Sequence, residues 1–158
     1  MKVLVVAVGK PGPLFADAIV EYERRARRYW SLETIEVKEE RTRKNTPARL
    51  ASAAESDRLL ARVPPGFLLF ALTRTGDATS SERLARDLER HAVAGSAGIA
   101  FLIGGAHGLS DHALQTADRR IRLSTVTLPH DLARVVLLEQ LYRAGTIVRG
   151  EPYHKGRE

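Results

Sequence analysis

Apolar and polar positions alternate along this chain in a way that changes period several times. Residues 2–8, KVLVVAV, are apolar without a break, the pattern of a strand buried on both faces. Residues 15–29 then carry Ile19, Tyr22 and Ala26 at helical spacing, and residues 32–37 (LETIEV) alternate as a half-buried strand. Thr46-Pro47 predicts a helix start, with Thr46 as N-cap and the proline in the first turn, running to about Arg62 before Pro64-Pro65-Gly66 end it. Residues 67–72 (FLLFAL) form another buried strand. Thr79-Ser80-Ser81-Glu82 has capping-box spacing and opens a helix that closes near Ala94 and Gly95. Residues 98–103 (GIAFLI) are a strand running into Gly104-Gly105, a short helix follows Ser110, and residues 120–124 (RIRLS) are the last strand. A final helix begins beyond Pro129-His130.

Strands alternating with helices in this order predict an α/β fold, a mostly parallel sheet with helices on both faces. No repeat or linker interrupts residues 1–158, so one domain is expected. In such sheets ligands bind beyond the carboxyl ends of the strands. Three loops fall there: residues 73–79, 104–110 and 124–129. The last helix is unusual because Leu132, Val135, Val136, Leu137, Leu138, Leu141, Ile147 and Val148 spread around it rather than along one stripe. One sheet cannot cover all those directions, so a second apolar surface is implied, and a second copy of the chain supplies it most simply. Burial under the chain's own loops is the alternative.

Composition narrows the function. With 25 Lys and Arg against 19 Asp and Glu the net charge is +6, a balance suited to a polyanionic partner as well as to plain solubility. No cysteine is present, which removes disulfides, thiolate metal sites and a thiol nucleophile together. The apolar start lacks a signal peptide's length and cleavage site, no run is long enough for a membrane span, and a cytoplasmic location is expected.

The first strand ends in GKPGPLF, whose prolines and glycine spacing fit neither a dinucleotide turn nor a phosphate-binding loop. FLIGGAHGLS differs: adjacent glycines after a buried strand let backbone approach a ligand, although a plain tight turn before a capped helix has the same look. His130 lies where a helix N-terminus favours a neutral imidazole that can accept a proton or position a ligand; packing or capping is its bland alternative. No zinc-binding histidine spacing occurs, and no metal is expected. Arg134, Glu139 and Arg143 would lie at or near that interface between copies, where charges must be paired. The closing GEPYHKGRE brings Tyr153, His154, Lys155 and Arg157 together, able to stack on a base, move a proton and hold phosphate, unless it is merely a solvated tail. Two basic runs, residues 23–29 (ERRARRY) and 38–44 (KEERTRK), suit phosphate contact, though such runs are often only solvated faces.

Taken together, VVAVGK, FLIGGAHGLS, LSTVTLPHDLARVVLLEQLYRA and the closing PYHK resemble the ribosomal RNA large subunit methyltransferase H family, of the SPOUT class, over the whole chain. The resemblance implies a fold with a C-terminal trefoil knot, a homodimer around the last helix, and S-adenosylmethionine as cofactor. The implied reaction methylates N3 of a pseudouridine in the intersubunit stem-loop of 23S rRNA on assembled ribosomes. Carried over by position, Leu72, Thr73, Gly104, Gly105 and Ser124, Thr125, Val126, Thr127, Leu128, Pro129 line the cofactor pocket. His130, Arg134, Glu139, Tyr142 and Arg143 match the final helical motif, and Tyr153 and His154 match the tail that reaches the partner's site. Among the expected catalytic residues His154, His130, Tyr153 and Arg143, His154 is the first candidate proton acceptor and His130 the second. The rival classes are a non-catalytic ribosome- or RNA-binding module, and a flavodoxin-like hydrolase, which GKPGP argues against.

Overall fold

The structure, a computed structural model, describes residues 1–155. Its elements are β1 (Lys2–Val8), α1 (Pro13–Ala26), β2 (Ser31–Val37), α2 (Ala48–Leu60), β3 (Leu68–Ala78), α3 (Ser81–Val93), β4 (Gly98–Ile103), α4 (Asp111–Thr116), β5 (Arg119–Arg122) and α5 (His130–Val148), followed by a 3-10 turn at Pro152–His154. All strand pairs are parallel, in the order β2-β1-β4-β3-β5. The unbroken apolar runs of β1 and β4 occupy the middle of the sheet, and from Val3 and Gly98 onward every residue in them is buried. That is where strands without alternation belong.

Two apolar layers flank the sheet. On one face Val3, Val5, Phe70, Ile99 and Phe101 meet Ile19, Leu84, Leu88, Leu137, Leu138 and Leu141 from α1, α3 and α5. On the other, Leu4, Val6, Leu69, Ala100 and Leu102 meet Leu59 of α2. Helix α5 therefore lies between α1 and α3, and much of its wide apolar surface is covered by its own chain. Trp30 Nε1 donates to Leu141 O at 2.8 Å, and a side chain at Gly145 would run into Tyr29. The tight fit of α5 thus depends on both residues just beyond α1.

The charges of α5 are paired within the chain. Buried Arg134 donates to Glu36 at 2.8 Å and reaches Glu23 at 3.4 Å, linking α5 to β2 and α1. Arg143 is paired with Glu139 one turn earlier, at 2.6 Å.

Several expected boundaries move. Helix α1 starts two residues earlier than residue 15, because a proline fits its first position, and ends at Ala26 rather than 29. Thr46 does not cap α2: its hydroxyl accepts from Arg43 N at 3.1 Å, closing the preceding loop, and Pro47 stands at the cap. For α3 the cap is Ser80, one residue past the expected Thr79, accepting from Arg83 N. Strand β3 continues beyond Leu72, since β5 pairs with both Leu72 and Asp77 across a register shift. Strand β5 stops at Arg122, and Ser124 instead accepts from Val126 N at 3.1 Å and turns the chain. Ser110 caps α4 as expected, accepting from Ala113 N. Arg157 lies outside the described residues.

Replacing Arg134 by Ala takes from Glu23, which is only 9% exposed, its buried cationic partner and leaves it the half-exposed Arg27 at 3.6 Å. Breaking a buried pair from one side costs roughly 3–5 kcal/mol. Urea denaturation of Arg134→Ala should show a loss on that scale, and a change under 1 kcal/mol would refute the pairing as a stability element (roughly, on the same scale).

Candidate cofactor pocket and tail cluster

Parallel pairing places the carboxyl ends of β1, β3, β4 and β5 along one edge, where a cavity of about 840 Å³ opens. Small-molecule sites commonly span roughly 300–1,000 Å³. Its lining comes from all three expected segments: Leu72 and Thr73, which lie within β3 and not in a loop, Gly104 and Gly105, and Ser124, Val126, Thr127, Leu128 and Pro129. His130, at the first turn of α5, also lines it. Of the ten expected pocket residues only Thr125 is outside the lining; it is exposed at the tip of the turn that Ser124 makes. The sequence reading missed Arg74, His107, Leu109, Arg122 and Leu123, which share the cavity. His107 was legible only as part of the glycine turn, and Arg122 only as a strand residue.

Backbone proximity shapes this edge. A Cβ at Gly104 would stand 2.6 Å from Gly108 C and 2.9 Å from Leu109 N, so the turn closes on itself only with glycine there. Gly108 has φ +71°, the left-handed region where glycine is favoured. At Gly76 a Cβ would come within 2.7 Å of the backbone of Arg120 and Ile121, so the irregular end of β3 lies hard against β5. The pocket is mixed in character: Leu72, Leu109, Leu123 and Leu128 are apolar, while Arg122 contributes a buried Nε with no protein partner. Asp131 accepts from Gly12 N at 2.9 Å, tying the start of α5 to the loop after β1. His130 Nε2 lies 3.3 Å from Asp131 Oδ1.

The other expected residues gather elsewhere. Tyr153 donates to Glu139 at 3.0 Å, its ring lies 4.5 Å from that of Tyr142, and the guanidinium of Arg143 sits 4.7 Å above it. His154 Nε2 meets Glu82 at 2.9 Å, at the start of α3, and its Nδ1 is buried without a partner. Glu139 and Arg143 follow His130 on α5 by 9 and 13 positions, or roughly 14–20 Å at 1.5 Å per residue. Within one chain, then, Arg143, Tyr153 and His154 form a cluster apart from the pocket, and none of them lines it. No group of three or more His, Asp or Glu side chains among the described residues could hold a metal ion, and no described helix is long and apolar enough to cross a membrane.

A family model described as "Predicted SPOUT methyltransferase" matches residues 1–154. The ribosomal RNA large subunit methyltransferase H of Gemmatimonas aurantiaca is 46% identical over 156 residues, covering 98% of this chain and all of that protein. The protein of the same name from Syntrophotalea carbinolica is 42% identical over 155 residues, covering 98% and 99%. The chain belongs to the ribosomal RNA large subunit methyltransferase H family of SPOUT methyltransferases. It is an S-adenosylmethionine-dependent rRNA methyltransferase. Among solved structures, a probable methyltransferase from Bordetella pertussis Tohama I shares the fold, with a TM-score of 0.57 at 17% identity over 90% of this chain and 95% of that one. A probable methylase family protein from Haemophilus influenzae does so at 0.54 and 13%, covering 99% and 71%.

The pocket fits its cofactor on the structure's own terms. Gly104 lets backbone curl tightly beside the cavity, the leucines offer faces to an adenine ring, and Arg122 brings a cationic side chain to the lining that suits a carboxylate. Gly104→Ala would press a methyl group into backbone rather than into a movable side chain. Overpacking of that kind costs about 1–3 kcal/mol, so S-adenosylmethionine affinity measured by calorimetry should fall about tenfold or more. Unchanged affinity would refute the close turn.

Tyr153 and Tyr29 supply a pH signature. Burial, then the hydrogen bond to Glu139, pushes the Tyr153 phenol from 10 up to about 12. Burial, then the bond to Glu151, does the same for Tyr29. The folded state holds these protons more tightly than the unfolded chain. Their stabilising effect is therefore complete below pH 10 and disappears as pH rises toward 12. Denaturant midpoints should drop across that window, and Tyr153→Phe with Tyr29→Phe should flatten the drop; an equally steep drop would overturn the assignment.

Proposed function

We propose that the enzyme methylates N3 of a pseudouridine in the intersubunit stem-loop of 23S rRNA, on assembled ribosomes, as a cytoplasmic homodimer. The observation that carries this reading is the division of labour along α5: its first turn borders the cofactor pocket, while the tail folds back onto Glu139 and Arg143 further along it, with His154 at the start of α3. A two-fold dimer around α5, with a C-terminal trefoil knot beneath each pocket, brings the tail of one protomer to the pocket of the other. Supporting the dimer, Leu14 and Val20 of α1 are 83% and 64% exposed, and Leu132, Val135, Val136 and Ile147 of α5 are only partly buried. Supporting the knot, the irregular end of β3 lies hard against β5 at Gly76, and the chain doubles back after β5 into α5.

S-adenosylmethionine supplies an electrophilic methyl group on a sulfonium sulfur. Leu72, Leu123 and Leu128 take the adenine, the backbone of residues 104–108 and 124–129 its polar edges, and Arg122 the carboxylate. His154 would take the proton of the base's imide N3–H, leaving the nitrogen pair for the methyl group that the bound cofactor would supply, whose C–S bonding pair would stay with sulfur. Nδ1 of His154 suits that role because Nε2 is already turned to Glu82. Tyr153 stays protonated through the neutral range and offers its ring for stacking, with Arg143 steadying it. The protein's task is alignment, bringing nitrogen and methyl carbon to about 3–3.5 Å with water excluded. Basic segment 38–44 is exposed apart from Glu40 and suits phosphate contact. Of the other run, Arg24 and Arg25 are engaged by Glu21, and Arg27 by Glu23.

The test uses ribosomes from cells lacking the gene. The purified enzyme should add one methyl group to the stem-loop in whole ribosomes and little to naked 23S rRNA, as read by nucleoside mass spectrometry. Gly104→Ala and His154→Ala homodimers should each be impaired, and their co-refolded mixture should regain activity because one of its pockets is intact in both parts. No recovery on mixing would refute the shared site, and an unmodified stem-loop would refute the substrate.

A further inference from the structure

Helix α2 buries an unusual set of residues. Five of its side chains are buried: Ala51, Ser52, Glu55, Ser56 and Leu59. Ser52, Glu55, Ser56 and Leu59 follow i, i+3, i+4, i+7 spacing and so share one face. An amphipathic helix ordinarily turns apolar residues inward at those positions. Here two hydroxyls and a carboxylate take most of them, and each meets backbone rather than another side chain.

The backbone they meet belongs chiefly to the glycine turn of the pocket. Ser52 Oγ donates to Gly108 O at 3.1 Å, and Ser56 Oγ accepts from Ser110 N at 2.8 Å. Glu55 is 3% exposed; its Oε1 accepts from Glu40 N at 3.0 Å, whereas Oε2 is buried with no partner. That unpartnered oxygen faces Gly105, where it would lie 2.8 Å from an added Cβ. A buried carboxylate oxygen with no donor is destabilising in itself, which calls for an explanation other than folding.

We propose that Glu55 is a positioning residue for the cofactor site: its Oε2 accepts an amide N–H of the 105–106 backbone when S-adenosylmethionine is seated, locking the glycine turn. The inference rests on that pocket being the cofactor site. It accounts for both oxygens, one committed to Glu40 and one held ready beside the turn. It also gives the two serines a purpose, since they fix the far limb of the turn at Gly108 and Ser110 while the near limb adjusts. Arg58 adds to the arrangement by donating to Lys38 O at 2.9 Å and pairing with Glu40. The basic segment and the cofactor turn are thereby anchored on one helix.

Glu55→Gln keeps the shape and removes the charge. Calorimetry with S-adenosylmethionine and with S-adenosylhomocysteine should show Kd raised about tenfold, the scale of one charge-assisted hydrogen bond. The melting temperature of the cofactor-free variant should equal or exceed that of the parent, because an uncompensated buried charge has gone. Hydrogen exchange should show cofactor-induced protection at Gly105 or Ala106 in the parent and its loss in the variant. Ser52→Ala, which leaves Glu55 untouched, should weaken binding in the same direction and provides the reading if Glu55→Gln does not fold. A Kd within about twofold of the parent, or a loss matched by a lowered melting temperature, overturns the role of Glu55. Absence of heat with the parent itself would overturn the cofactor site, and the inference with it.

Discussion

The close approach of backbone to backbone at the carboxyl edge of the sheet is the constraint from which the rest follows. Side chains normally hold neighbouring segments apart by the width of a methyl group or more. At Gly104 and at Gly76 that separation is absent, and carbonyl carbons lie where a Cβ would otherwise be. The first contact curls the turn after β4; the second sets the irregular end of β3 against β5. Together they bring three segments of chain to the lining of one cavity. Such an edge needs rigid support, which the fully buried β1 and β4 provide beneath it.

Helix α5 has different tasks along its length. Its first turn is fixed by Asp131 on Gly12 and borders the pocket. Its middle is held by Arg134 to α1 and β2, and by the Trp30 indole on Leu141. From the middle onward Glu139 and Arg143 receive Tyr153 from the tail, which folds back along the helix. A buried arginine between two carboxylates contributes less to stability than an apolar replacement could. It does fix the rotation of α5, and a helix serving two sites needs a defined rotation.

The sequence carried the layers well and the contacts poorly. Strands β1 and β4 were legible because continuous burial leaves no alternation, and Ser110 was legible because its cap is a local bond. The three segments at the sheet edge followed from element order alone, and all three reach the cavity, although 73–78 proves to be a continuation of β3 and not a loop. What escaped depends on which of several available partners a group takes. Thr46 looked like a cap, but its hydroxyl was taken by Arg43 N; Leu72 looked like a strand end, but β5 extends the pairing to Ala78. The wide apolar surface of α5 called for a second partner surface, and α1 and α3 supply much of it from the same chain. Glu55 gave no signal, because a lone glutamate in AESDRLL reads as solvent-facing until its burial is known.

The separation of pocket and tail bears on how such a site can be both selective and safe. A base held beside the cofactor at all times would leave a reactive methyl open to water and to stray nucleophiles. In one chain the Nδ1 of His154 is buried against its own surroundings, with Nε2 engaged by Glu82 and away from the pocket lining. Under the proposed composite arrangement, proton acceptor and methyl donor meet only where two copies and the RNA converge. A small protein gains selectivity from this, since the rRNA must satisfy two surfaces at once before the reacting atoms align. The basic segment anchored on α2 adds a third condition, because its Glu40 amide and the glycine turn look to the same carboxylate. Substrate contact and cofactor grip would then reinforce each other by reciprocal linkage, with the polar face of one helix as the connecting element.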